Sequence, residues 1–176
     1  MSKIPPFPPR PRTIALVIFP QFQLLDASGP IAAFEIASEF APGAYRLRVA
    51  GLRAGLTPAS AHGAAMPAEA LSRIRDIDTL IVVGGQGTRA AFRDAKLIAA
   101  VKRASARARR TASVCSGAFV LGAAGLLDGR RATTHWRRAG ELARAFPRVR
   151  VELECIFIED SGVWTSAGVT AGIDLA

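Results

Sequence analysis

The chain has 176 residues, half of them hydrophobic, with two cysteines and two histidines; this is the size of one domain with a self-sufficient core, and such sparse, distant ligands exclude a zinc pattern or a secreted disulfide framework, so no metal and no cofactor is expected. No apolar run approaches the roughly 20 residues of a membrane span, and the N-terminal MSKIPPFPPRPR lacks a signal-peptide core, which leads to the expectation of a cytoplasmic protein with no membrane partner. A net charge of +9 invites nucleic acid, but arginine outnumbers lysine 20 to 3 and is scattered; the densest cluster, Lys102, Arg103, Arg107, Arg109 and Arg110, has no interleaved aromatics and reads as a solvated helix face.

In chain order, residues 1–12 carry five prolines and are expected to form a disordered or extended tail, with one domain over residues 13–176. Residues 13–19 (TIALVIF) form a near-continuous β-branched apolar run, as a strand buried on both faces requires. A helix follows, capped by Ser28 or Gly29 with Pro30 in its first turn, and Ile31, Phe34, Ile36, Ala37 and Phe40 form its apolar face. Asp26 then lies between strand and helix. It reads either as a capping or turn residue or as a functional carboxylate, because chemistry in parallel α/β sheets collects beyond the carboxyl ends of strands.

Residues 45–52 alternate as a second strand, 56–66 suit a hairpin with His62 in a surface loop, and a short helix is predicted near 68–74. Residues 77–83 form another apolar strand, ending in Gly84, Gly85, Gln86 and Gly87. These glycines lack the Lys and Ser/Thr of a phosphate loop, and their N–H groups suit an oxyanion or small ligand. A helical pattern over 89–108, broken near Asp94, leads to the strand 111–114.

That strand meets Cys115, Ser116 and Gly117 and turns at once into an Ala- and Leu-rich helical pattern, the arrangement of a nucleophile elbow. N–H groups of the new helical turn point at the cysteine, and the positive end of the helix favours a thiolate. A buried structural cysteine is the alternative. Beyond it come a short strand over 131–134 ending at His135, a helix over 137–146, and strands over 149–153, 155–159 and 163–166. Strands alternating with helices imply an α/β fold with a mostly parallel sheet. The last stretch, TSAGVTAGIDLA, starts a helix and stops, so the domain is expected to be truncated there.

Four blocks stand in order: LLDASGP (24–30), VVGGQG (82–87), SVCSGAFVLGAAGLLDGRRATTHW (113–136) and VWTSAGVTAGIDLA (163–176). Together they resemble the ThiJ/PfpI superfamily, within the class I glutamine amidotransferase-like proteins, and the branch shared by isocyanide hydratases and the sensory domains of GlxA-type, AraC-family transcriptional regulators. The resemblance implies a flavodoxin-like three-layer sandwich, a homodimer, and Cys115 as the functional thiol with Asp26 and Ser116 beside it. Gly84, Gly85, Gly87, Gly117 and His135 would surround a small-molecule ligand. It further implies either a sensory domain, whose DNA contacts belong to a C-terminal helix-turn-helix module absent from these residues, or a free-standing lyase that converts isocyanides to N-formyl amines. Peptidase-like relatives carry histidine after the nucleophile, where this chain has Ser116, and glyoxalase-like relatives carry glutamate where it has Asp26. Cys155 matches no functional position.

Overall fold

A computed structural model describes residues 10–168 and 170–176. The predicted tail therefore lies largely outside the described residues, and its last member, Arg12, opens the first strand. That strand, β1 (Arg12–Val17), is buried from Thr13 onward. Its residues divide between two cores, as alternation demands. Ala15 and Val17 pack with Leu97, Val101, Phe119 and Val120 on one side, while Ile14 and Leu16 pack with Phe34 and Val114 on the other.

Helix α1 (Leu24–Phe40) follows, then β2 (Tyr45–Gly51), the hairpin β3 (Gly55–Pro58) and β4 (Ala65–Ala70), and β5 (Ile77–Val82). Helices α2 (Thr88–Ala91) and α3 (Ala95–Ser105) precede β6 (Arg110–Val114), and α4 (Ala118–Ala123) leaves the elbow. The remainder is β7 (Arg131–Ala132), α5 (Ala139–Ala145), β8 (Arg150–Val151), β9 (Phe157–Asp160), β10 (Val163–Ser166) and α6 (Ala171–Leu175). The main sheet has the order β3-β4-β2-β1-β5-β6-β10-β9, and β7 pairs with β8 apart from it. From β4 through β10 neighbours run parallel; only the two edge strands are antiparallel. The chain crosses from β2 back over β1 to reach β5, so the carboxyl ends of β1, β5 and β6 lie side by side, where loops leave a crevice.

Several expectations need correction. Helix α1 begins four residues before Ser28, after Gln23, which makes no side-chain cap bond, and Pro30 lies inside it. Asp26 is thus in the first turn, where a carboxylate suits the helix start. Ile36 and Phe40, predicted to be buried, are 55% and 81% exposed, because the sheet covers only the Phe34 side. Residues 68–70 extend β4, leaving only a 3-10 turn at Leu71–Arg73. The break near Asp94 is an N-cap: its carboxylate accepts from Lys96 and Leu97 N–H. Lys102, Arg103, Arg107, Arg109 and Arg110 are exposed, as a solvated face should be. No helix among the described residues is long and apolar enough to cross a membrane.

Candidate functional site at the Cys115 elbow

Strand β6 ends at Val114, and the backbone reverses at Cys115 with φ 56°, a left-handed conformation that is strained for any residue with a Cβ. A 3-10 turn, Cys115–Gly117, then runs into α4. The turn can sit this close to β5 only because residue 117 is glycine: a Cβ there would fall 2.2 Å from the Val82 carbonyl oxygen. From the far side, Thr134 Oγ1 donates to the Cys115 carbonyl at 2.8 Å. The bend is held by packing on one side and a buried hydrogen bond on the other.

Asp26 reaches the elbow from α1 and is wholly buried. Its Oδ2 accepts the Gly84 N–H at 3.0 Å, and its Oδ1 is buried without a hydrogen-bonding nitrogen or oxygen. Burial raises this carboxyl to about 6, against the opposing pull of the Gly84 N–H and the Cys115 thiol. Burial likewise pushes the Cys115 thiol up to about 12, with the Asp26 carboxylate adding to the effect and Ser116 opposing it. The expectation of a resting thiolate is therefore corrected: desolvation and a buried neighbouring anion outweigh the start of a short helix. The two groups act as a coupled pair that holds one proton across the neutral range.

Ser116 is brought to the site, but its hydroxyl is engaged. Its Oγ accepts the Gly85 N–H at 3.0 Å and lies 2.8 Å from Thr88 Oγ1, which itself donates to the Gly85 carbonyl at 2.7 Å. The Ser116 proton is left with Thr88 Oγ1 and the Cys115 sulfur as acceptors. Ser116 thus braces the glycine loop against the elbow. The loop is corrected in the same way. Gly84 N–H is spent on Asp26, Gly85 N–H on Ser116, and Gly87 N–H on the Gln21 carbonyl at 3.0 Å, so they form no open oxyanion cradle. A Cβ at Gly84 would lie 2.6 Å from Ser116 Oγ and 2.8 Å from Asp26 Oδ2, which places this glycine at the junction of all three elements.

Above the sulfur is a cleft of about 260 Å³ lined by Gln23, Gly85, Gln86, Cys115, Ser116, His135 and Arg138. Gly84, Gly87 and Gly117, expected around a ligand, serve packing behind it. His135 lines the cleft but no hydrogen bond joins it to Cys115; its Nδ1 accepts the Arg137 N–H at 3.2 Å. Burial, then Arg137 and Arg138, lower its pKa and favour a neutral ring. Gln23, Thr88 and Arg138 were not singled out by the sequence, and Gln86 was named only as part of the glycine loop; a hydroxyl residue directly after that loop was a usable signal for Thr88. Among the described residues no cluster of His, Cys, Asp or Glu is arranged for a metal. A larger cavity of about 390 Å³, walled by Phe19, Leu52 and Leu97, lies away from the Asp26–Cys115 pair.

A sequence profile of the DJ-1/PfpI family matches residues 12–176. An uncharacterised protein of Streptomyces lividans is 44% identical over 138 residues, covering 78% of this chain and 96% of that protein. Isonitrile hydratase of Pseudomonas putida is 33% identical over 165 residues, 93% of this chain and 68% of the enzyme. The HTH-type transcriptional regulator GbdR of Pseudomonas aeruginosa is 28% identical over 173 residues, so the chain spans 98% of itself but about half, 47%, of that regulator. A solved ThiJ/PfpI family protein from Pseudomonas syringae superposes with a TM-score of 0.85 at 33% identity, covering 99% of this chain and 69% of the other. An AraC family transcriptional regulator from Pseudomonas putida shares the fold, with a TM-score of 0.81 at 18% identity and coverage of 94% and 88%.

Proposed function

The chain belongs to the DJ-1/PfpI family, and on that premise we propose that it is a ligand-sensing domain of the kind found in AraC-type, GlxA-like regulators. The observation that carries the reading is the Asp26–Cys115 pair beneath a small cleft, with the thiol held protonated and no histidine bonded to it. Such a site suits recognition of a small molecule at the sulfur, and regulators similar to this chain support the setting. On this reading DNA contacts belong to a module outside these 176 residues, and these residues alone bind no operator selectively. A second copy of the chain is the expected partner, through the exposed stripe of Leu25, Ile36 and Phe40 on α1.

A lyase of the isonitrile hydratase kind is the second reading, favoured by the coupling of carboxyl and thiol. The thiol proton passes to the Asp26 carboxylate as sulfur bonds the terminal isocyanide carbon, and Asp26 returns it to that carbon, leaving a thioimidate. Water adds to the carbon, the C–S bond breaks, the N-formyl amine leaves and sulfur regains its proton. Incubation with cyclohexyl isocyanide separates the two readings. The sensor yields no more than one N-formyl product per chain; repeated turnover that disappears in Cys115→Ala replaces the sensor with the enzyme.

A further inference from the structure

The cleft over Cys115 has a cation in its wall. Arg138 ends the 3-10 turn Trp136–Arg138, and its side chain is only 23% exposed. Its guanidinium carbon lies 4.5 Å from the centroid of the Phe119 ring, and its Nε donates to Glu141 Oε2 at 2.7 Å. These contacts fix the plane of the group and use one of its five N–H bonds. Nη2 is buried with no acceptor, and no hydrogen bond from Nη1 is found among the described residues. A desolvated donor left without an acceptor is a cost that an entering acceptor removes.

Glu141 does not neutralise the wall, because Arg89 Nη2 also claims it at 3.2 Å. Two guanidinium groups thus share one carboxylate, and Arg137 stands next in sequence with its own charge over Trp136. Both cations, Arg138 in the wall and Arg137 beside it in sequence, act on His135, which lines the cleft. The opposing charge at the floor is Asp26, wholly buried. The mouth is therefore positive, the floor carries the sulfur, and the volume of about 260 Å³ limits the occupant to a small molecule.

We propose that the Cys115 cleft selects small molecules bearing a carboxylate, which the Arg138 guanidinium in the cleft wall receives while the remainder of the molecule lies over the sulfur. A guanidinium suits a carboxylate in charge and planarity, and the Phe119 and Glu141 contacts pre-organise it. The proposal rests on the reading of this cleft as the ligand site.

Two alkylating reagents of nearly the same shape test it: iodoacetate, which is anionic, and iodoacetamide, which is neutral. In both reactions an S–C bond forms at Cys115, the C–I bond breaks, iodide leaves and the thiol proton passes to Asp26. A Cys155→Ser background keeps the readout on Cys115. With Asp26 beside the sulfur, an anionic reagent is disfavoured unless a cation receives it. Iodoacetate is expected to modify Cys115 about tenfold faster than iodoacetamide, with the excess lost in Arg138→Gln and partly kept in Arg138→Lys. Faster reaction with iodoacetamide in the unsubstituted protein overturns the proposal, as does a ratio that is the same with Arg138, glutamine or lysine at position 138. If neither reagent modifies Cys115, the reading of the cleft as the ligand site falls, and the proposal with it.

Discussion

Asp26 keeps Oδ2 on the Gly84 N–H, while Oδ1 is buried without a hydrogen-bond partner. Because its folded pKa, about 6, exceeds the ordinary 3.8, the folded state binds this proton more tightly than the unfolded state. The resulting stability is fully present below pH 3.8, declines as pH rises, and is gone above about 6. The whole excursion corresponds to about 3 kcal/mol. Asp26→Asn removes the ionisation and retains an acceptor for Gly84. It should be more stable than the parent at pH 8 by up to about 3 kcal/mol, with the gap closing as the pH falls toward 4, as urea titrations at several pH values can measure. The pair should also control sulfur reactivity. Alkylation of Cys115 is expected to rise through about pH 6, where the pair loses its first proton, and this step should vanish in Asp26→Asn. A profile with the step intact would assign it to another group.

The elbow joins two elements through a contact that leaves no room for a side chain. Gly117→Ala drives a methyl group into the Val82 carbonyl, and should cost about 3 kcal/mol, at the upper end of overpacking penalties. Gly140→Ala is the control, since Gly140 lies on α5 with only Arg144 Nη1 near the added carbon, at 3.5 Å; it should be neutral or gain up to about 1 kcal/mol in the same denaturation experiment. Strands β1 and β5 were legible because burial on both faces demands near-continuous apolar runs, and β6, with the sequence RTASV, because it runs straight into the cysteine elbow. The start of α1 was not, since Gln23 carries no cap and Pro30, a residue suited to first turns, sits in the helix interior. Asp26 and Cys115 could be found because both follow strands. The engagement of Gly85 by Ser116 could not, because it joins residues 31 apart in sequence and depends on β5 and β6 pairing side by side. Arg138 was hidden among 20 arginines; only its ring contact and unpaired nitrogens distinguish it.

Across the molecule, the helices on one side of the sheet pack against a continuous core, whereas α1 leaves Leu25, Ile36 and Phe40 exposed. These three positions recur on one side of the helix, as an interface with a second copy would require. Light scattering should give twice the chain mass at micromolar concentration, and Ile36→Glu with Phe40→Glu should shift the protein to the single-chain mass; a monomeric parent would refute the pairing. Every residue other than glycine in the chain has the same chirality, and at Cys115 the fold works against it. A backbone at φ 56° is comfortable for the mirror-image amino acid, but exchanging the hand of Cys115 would exchange its Cβ and Hα and turn the sulfur away from the cleft. Glycine would relax the same bond and supply no sulfur. Among the natural residues, therefore, none both rests easily at this bend and presents a thiol, and the strain at Cys115 is inseparable from where its sulfur points.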